Sequence, residues 1–151
     1  MASLRIRVLE VLGPIVQSAR LKLLIWKGYK NIASGVTIER NVNLDRVYPE
    51  HIYIGESCLI ASGATILCHE HVYRQPGNPA LPLLKKTYIG HRCFIGVGPW
   101  ILPGVSIGDD CIVGAGTVVT NNLPSGSVAV GVPARVIKSG IKMSERAILL
   151  G

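Results

Sequence analysis

The chain has 151 residues, which predicts a single domain, and 48% of them are hydrophobic but only 5% aromatic, so its core must be built from aliphatic side chains. The net charge of +7 is uneven, because residues 1–30 hold six of the sixteen basic residues and one of the nine acidic ones. The remainder is close to neutral and has no aromatic-plus-basic motif, which excludes a general nucleic-acid binder.

Residues 3–30 form the first predicted element, an amphipathic helical segment in which aliphatic side chains recur at helical spacing between Arg and Lys. Gly13-Pro14 should break or kink it, because proline lacks an amide hydrogen and crowds the preceding turn. One role is a cap over the open end of the following domain. The other is a basic surface lying on an anionic membrane. Charges interrupt the segment too often for it to span a bilayer, and no signal peptide is expected.

A repeat of six residues governs the chain from residue 31 to residue 138. Its longest block is unbroken, with aliphatic residues at Ile89, Ile95, Ile101, Ile107, Val113 and Val119 and mostly small side chains four positions after them. A period of six fits neither an α-helix nor an isolated strand. It predicts an all-β solenoid, a parallel β-helix with three flat sides, in which each coil buries its apolar residues against its neighbours.

The repeat loses its phase twice, at residues 45–53 and in a protruding loop at residues 67–88 that is rich in proline and polar side chains. A long excursion from a strict solenoid usually carries function. Three cysteines (Cys58, Cys93 and Cys111) fall at the position of the repeat that requires a small inward side chain. Cys68 is out of phase with the repeat, and the sequence does not assign its role. There is no CxxC motif to indicate zinc or a redox pair. Residues 139–151 form a tail, with a short helix expected at residues 141–150.

Three passages together resemble one family. They are Ile66-Leu-Cys-His-Glu-His-Val-Tyr73, the block from Ile89 through Ile101-Leu-Pro-Gly-Val-Ser-Ile-Gly108 to Thr120, and Val130-Gly-Val-Pro-Ala-Arg-Val-Ile-Lys138. They are similar to the hexapeptide-repeat acyltransferases, in the branch that O-acetylates sugars of cell-surface polysaccharides and is related to maltose, galactoside and serine acetyltransferases. The resemblance implies a left-handed coil, acetyl-CoA as acyl donor, no metal, and a homotrimer with active sites between subunits. We expect a cytoplasmic location, with peripheral contact at the inner membrane face through the basic segment of residues 3–30 as an alternative.

The same resemblance assigns the site residues. His71 falls on the catalytic base, which suits an imidazole because its unperturbed pKa is about 6.5, and His69 orients it or lines the acceptor site. The acidic acceptor contact of relatives falls on Pro49 here, so Asp45 is the substitute. A lysine that meets phosphate in relatives is replaced by Asn121. The remaining positions are the acceptor contacts Asn41 and Tyr73 and the cofactor contacts Val97, Ala115, Thr120, Arg135 and Lys138.

Two alternatives stay open from the sequence. A γ-class carbonic anhydrase shares the solenoid and binds zinc through three histidines, of which His69 and His71 could supply two. The third would be expected in the next coils, where Ile101-Leu-Pro-Gly offers none. The other alternative is a non-catalytic hexapeptide subunit that scaffolds a partner, for which removal of His71 would leave function intact.

Overall fold

The computed structural model describes residues 15–151, and the prediction for residues 3–14, including the Gly13-Pro14 break, lies outside them. A helix, α1, occupies residues 15–26. Leu21 and Leu24 of this helix pack against the first coil of the solenoid, as expected of a cap. Within residues 15–151, no helix combines the length and the apolar character needed to cross a bilayer.

Short strands make up most of the remaining chain. Nearly all are two or three residues long, because a six-residue side holds one short strand and one corner. In chain order they are β1 Thr37–Ile38, β2 Asn43–Leu44, β3 Ile52–Ile54, β4 Leu59–Ile60, β5 Thr65–Ile66, β6 His69–Gln75, β7 Asn78–Leu84, β8 Thr87–Ile89, β9 Phe94–Ile95, β10 Trp100–Ile101, β11 Ser106–Ile107, β12 Ile112–Val113, β13 Val118–Val119, β14 Val128–Val130, β15 Arg135–Lys138, β16 Lys142–Met143 and β17 Leu149–Leu150.

Three parallel sheets form the walls of the solenoid. The first contains β1, β4, β9, β12 and β14 in that order, with β15 added antiparallel to β14. The second runs β2, β5, β10, β13, and the third runs β3, β8, β11. Each inner strand of a wall pairs with the strand one coil earlier and the strand one coil later, so the predicted three-sided parallel β-helix is observed.

Aliphatic side chains of the repeat stack in rows inside the three walls. In the second wall, Leu44, Ile66, Ile101 and Val119 lie in register across four neighbouring strands, and all are buried. Burying aliphatic surface contributes about 25 cal/mol per Å², so these rows supply most of the stabilisation of the fold. Their regular spacing explains why the six-residue period was visible in the sequence.

The small inward slot holds a row of buried thiols, as predicted for Cys58, Cys93 and Cys111. Each Sγ lies against a backbone carbonyl oxygen of the next coil, at 2.9 Å from Gly90, 3.1 Å from Gly108 and 3.2 Å from Pro124 respectively. All three cysteines are buried and free of disulfides. A thiol in this slot both fills the small volume and satisfies a carbonyl group inside the corner.

Glycine after the aliphatic residue of the repeat is a steric requirement at Gly90. A Cβ built there would stand 2.4 Å from Oδ1 of Asp109 and 2.7 Å from its backbone nitrogen, on the coil that follows. At this corner, successive coils therefore approach too closely for a side chain, which accounts for the Ile-Gly pairs of the repeat.

The C-terminal tail contradicts one prediction. Residues 141–150 form no helix; β16 and β17 pair antiparallel there, with Lys142 opposite Leu150 and Met143 opposite Leu149. Ile141, Met143 and Ala147 are buried against the outer side of the first wall. Its strands are only two residues long, so the sequence could not distinguish a strand period from a helical one there.

Candidate functional site

The protruding loop is an antiparallel hairpin, the arm, made of β6 and β7 and closed by Pro76-Gly77. It leaves the solenoid directly after β5 and rejoins it at β8, which begins at Thr87, inside the predicted range of 67–88. The base of the arm is fixed where the chain leaves and returns. The Lys85 N–H donates to the Cys68 carbonyl at 2.8 Å, and the Thr87 hydroxyl donates to the Leu67 carbonyl at 2.6 Å.

His69 opens the arm and is held by a buried carboxylate. Asp45 follows β2, and its backbone N–H donates to the carbonyl of Ile66 at 2.9 Å, so its side chain meets the start of the arm. One carboxylate oxygen of Asp45 bonds Nδ1 of His69 and accepts the N–H of Cys68 at 3.0 Å; the other accepts the N–H of Val47 at 3.1 Å. The side chain of Asp45 is 1% exposed and that of His69 is 16% exposed.

These hydrogen bonds favour the ionised form of Asp45. Burial by itself raises the pKa of Asp45, but the Cys68 N–H, the His69 ring and the Val47 N–H bond its ionised form and hold that pKa below its usual range. An ionised carboxylate can only accept a hydrogen bond, so the Nδ1 atom of His69 carries the proton in this contact. The sequence-based assignment of Asp45 to an acceptor contact stays a prediction. Its carboxylate is enclosed, and its geometry is that of a residue that positions His69.

Two further rings, those of Tyr48 and His71, pack against the imidazole of this carboxylate–imidazole pair. The ring of His69 lies edge-on to Tyr48 at a centroid distance of 5.6 Å and edge-on to His71 at 5.0 Å. His71 is exposed on β6, and Nδ1 of its ring is 3.4 Å from a guanidinium nitrogen of Arg74. The two predicted histidines are thus brought together, with the inner one fixed and the outer one accessible.

The Asp45–His69 contact predicts a pH dependence of stability. Because the pKa of Asp45 is lower in the folded state, its ionised carboxylate adds to the free energy of unfolding. That stabilisation is fully present above the unfolded-state pKa of about 3.9 and is lost as the pH falls through the folded-state pKa. Asp45→Asn should therefore lower the melting temperature most above about pH 5, and the difference from the wild type should shrink below about pH 4. Thermal unfolding followed by circular dichroism between pH 2.5 and 7, with Glu145→Gln as the exposed control, measures this; a difference independent of pH would contradict it.

The other predicted site residues lie on the outer surface. Val97 and Ala115 are exposed at the same corner of successive coils, and the Gly116 N–H donates to the Val97 carbonyl at 2.9 Å. Thr120 and Asn121 are exposed after β13. Arg135 and Lys138 are exposed on β15, at the end of the first wall.

The two remaining acceptor candidates, Asn41 and Tyr73, are both exposed. Asn41 is exposed at a corner, in the left-handed backbone region with φ of 59°, and Tyr73 is 63% exposed on the arm. Within residues 15–151 no side-chain hydrogen bond links either of them to His69 or His71.

Two tyrosines of the site were not singled out from the sequence. The Tyr29 hydroxyl donates to the backbone carbonyls of Leu44 and Asp45 at 3.0 Å each, so it anchors the chain where the carboxylate begins. Tyr48 packs on His69 and accepts the Cys68 thiol at its carbonyl, 3.2 Å away. The only sequence signal for the packing of Tyr48 on His69 was its place in the first phase break, at residues 45–53. Nothing in the repeat indicated Tyr29.

One group in the described part of the chain has metal-ligand chemistry. The ligand atoms of Asp45, Cys68 and His69 all lie within 4.8 Å of one another. However, the Asp45 oxygens already accept three hydrogen bonds, and burial raises the pKa of the Cys68 thiol, which favours the protonated form over the thiolate that zinc requires. These contacts indicate that Asp45 and Cys68 support His69 through hydrogen bonds rather than bind a metal ion.

Comparisons with known proteins agree with this architecture. The family described as the hexapeptide repeat of succinyl-transferase matches residues 86–121. Galactoside O-acetyltransferase of Escherichia coli is 33% identical over 131 residues, covering 85% of this chain and 64% of that protein. A maltose O-acetyltransferase structure from Clostridium difficile matches with a TM-score of 0.58 at 28% identity, over 80% of this chain and 74% of that one. The structure of a galactoside acetyltransferase in complex with coenzyme A matches with a TM-score of 0.56 at 33% identity. The match covers 70% of this chain and 56% of that one.

The fold and these matches define a left-handed parallel β-helix built from hexapeptide repeats. The chain belongs to the hexapeptide-repeat acetyltransferase family, which confirms the resemblance carried by the three sequence passages. It spans between half and two thirds of the length of the galactoside O-acetyltransferases it matches.

Proposed function

We propose that the chain transfers an acetyl group from acetyl-CoA to a hydroxyl of a sugar or glycan intermediate in cell-surface polysaccharide biosynthesis. The observation that carries this proposal is the paired histidines at the base of an arm that leaves an otherwise strict solenoid. Similarity to galactoside and maltose O-acetyltransferases supports the reaction class, and the coenzyme A complex of one of them supports the donor. We place the reaction in the cytoplasm, where acetyl-CoA is made available to sugar intermediates.

The chemistry follows from the two imidazoles. His71, which is exposed, takes the proton of the acceptor hydroxyl while that oxygen attacks the thioester carbonyl carbon. A backbone N–H stabilises the tetrahedral oxyanion. The carbon–sulfur bond then breaks, and the imidazolium returns its proton to the thiolate of coenzyme A. His69, fixed by Asp45 and edge-on to His71 at 5.0 Å, limits the orientations open to that ring.

The donor would run along the outside of the coils. The corner at Val97 and Ala115 offers exposed backbone that can form hydrogen bonds with the pantetheine amides. Asn41 and Tyr73 would contact the acceptor sugar. Arg135 and Lys138 carry positive charge at the end of the wall, where they can hold the nucleotide phosphates by charge-assisted bonds. Thr120 and Asn121 are exposed just after β13 and lie between these two regions in the sequence.

Arg135→Ala tests the donor path. Loss of a hydrogen bond to a charged group corresponds to about 1.5–3 kcal/mol, so the KM for acetyl-CoA should rise about 10- to 100-fold while kcat changes little. Steady-state kinetics with varied acetyl-CoA measures this, and Arg146→Ala on the C-terminal hairpin is the matched control. An unchanged KM in Arg135→Ala would remove this residue from the donor site.

We also propose a homotrimer whose active sites lie between subunits. Val72 and Tyr73 leave large apolar surface on the arm, at 86% and 63% exposure, next to His71. A neighbouring subunit against this surface would shield the reacting atoms from water. If so, transferase activity should be lost on dilution in parallel with the loss of trimer mass measured by light scattering.

A thiol-release assay tests the transferase directly. Purified chain is incubated with acetyl-CoA and a panel of nucleotide sugars and glycan acceptors, and free coenzyme A is measured with a thiol reagent. We expect release that depends on one acceptor class and persists after dialysis against a chelator. Stoichiometric zinc bound to active protein would favour the carbonic anhydrase alternative, and no release with any acceptor would favour the scaffold alternative.

A further inference from the structure

Helix α1 has a second apolar face that does not touch the solenoid. Residues 15, 19, 23 and 26 fall on one side of a helix with 3.6 residues per turn, opposite the side of Leu21 and Leu24 that packs on the core. On this outer side Ile15, Leu23 and Trp26 are exposed, and Trp26 is 81% exposed. An apolar stripe of this kind in water indicates a surface that is covered in use.

Positive charge flanks the stripe. Arg20, Lys22, Lys27 and Lys30 lie in or just after α1, and the first acidic residue of the described chain is Glu39. Among residues 15–151, none of these four cations forms a salt bridge. The face therefore combines exposed aliphatic and indole groups with unopposed cations, which is the pattern of helices that lie in the plane of a membrane surface.

We propose that the outer face of α1 lies on a bilayer surface rich in anionic lipid. Trp26 and Leu23 would enter the headgroup region, where an indole ring is favourably placed with its N–H near water and its body in the apolar layer. Lys22 and Lys27 would lie among the phosphates. This inference concerns where the chain acts, and it does not depend on the proposed transfer reaction.

A second copy of the chain is a poorer fit to this face. Such a contact would need an acidic patch to meet the four cations, because like charges brought together are unfavourable. Three acidic side chains of the walls are engaged in internal contacts instead. Glu39 accepts from Ser62 at 2.8 Å, Asp109 accepts the His91 N–H at 2.8 Å, and Asp110 forms two bonds with Arg92 at 2.8 and 2.9 Å.

Vesicle sedimentation with the full chain tests the proposal. We expect the protein to sediment with phosphatidylcholine vesicles that contain about one third phosphatidylglycerol and to stay in solution with phosphatidylcholine alone. Added salt should weaken the binding, because it screens the lysine–phosphate attraction. Lys22→Gln and Lys27→Gln should each lower the partition coefficient about five-fold, the effect of removing one basic charge at an anionic surface. Arg146→Gln, on the C-terminal hairpin, is the matched control and should bind as the wild type does.

Trp26 also gives a direct readout of insertion. The chain has two tryptophans, so Trp100→Phe leaves Trp26 as the only indole. Its emission should shift to the blue when phosphatidylglycerol vesicles are added, and Trp26→Ala should weaken sedimentation about ten-fold through loss of buried aromatic area.

Three results would overturn the proposal: equal binding to neutral and anionic vesicles, an unshifted emission, or face variants that change the oligomeric mass in light scattering. The last would show that a second copy covers this face. Thiol release in the absence of lipid is measured on the same variants. Activity without vesicle binding would refute the membrane contact alone, and vesicle binding without activity would refute the transferase alone.

Discussion

His71→Ala should lower kcat about 10²- to 10⁴-fold, the usual contribution of a positioned general base, and should do so without changing the fold. The ring of His71 is exposed on the arm, and within the described chain its only side-chain hydrogen-bond partner is Arg74 at 3.4 Å, so its removal opens no cavity. The measurement is the kcat of thiol release under saturating acetyl-CoA, with circular dichroism to confirm the solenoid.

A matched histidine makes this test specific. His91 is also exposed, but it stands on the third wall, where Nδ1 accepts the Glu56 N–H at 3.1 Å. His91→Ala should retain activity. If His69→Ala abolishes turnover while His71→Ala keeps it, the base is the inner imidazole, whose Nδ1 is already held by Asp45. Full activity in both variants would refute histidine base catalysis at this site.

The repeat made the solenoid predictable because its period is read directly along the chain. Each wall row, such as Leu44, Ile66, Ile101 and Val119, is a set of sequence positions fixed by one geometric rule. The same six-residue period placed the three inward cysteines. It also marked the start of the arm, because the period is interrupted after Ile66. Handedness was not readable in this way. It came from the family resemblance, because the usual crossover rule favours the opposite hand.

The support of the histidine pair was harder to foresee. Asp45 and His69 are 24 residues apart, and they meet because β2 and β5 stack in neighbouring coils. The sequence placed Asp45 in a phase break, where an outward side chain is expected, whereas three donors from Val47, Cys68 and His69 draw it inward. The C-terminal hairpin was missed for a related reason. Its two-residue strands are too short to show a period of two against a helical one.

Ile101→Ala should be the most destabilising single truncation in the walls, at about 2–5 kcal/mol in the free energy of unfolding. Ile101 is 0% exposed and lies on β10, in register with Ile66 on one side and Val119 on the other. Its carbonyl also accepts the Leu67 N–H at 3.0 Å, at the base of the arm. The coils above and below are tied by their own ladders, so they cannot close fully on the missing volume, and the loss should include a cavity term.

Urea denaturation measures the effect, and two further variants define it. Ile137→Ala removes the same atoms from a side chain that is 65% exposed on β15, so it should change stability by less than about 0.5 kcal/mol. Ile101→Val, which removes one methylene, should cost about 0.5–1.5 kcal/mol and keeps the test readable if the alanine variant fails to fold. Equal losses at positions 101 and 137 would mean that the inner row does not carry the stability. A graded loss confined to position 101 would tie the stability of the walls to the same coil that holds the base of the arm.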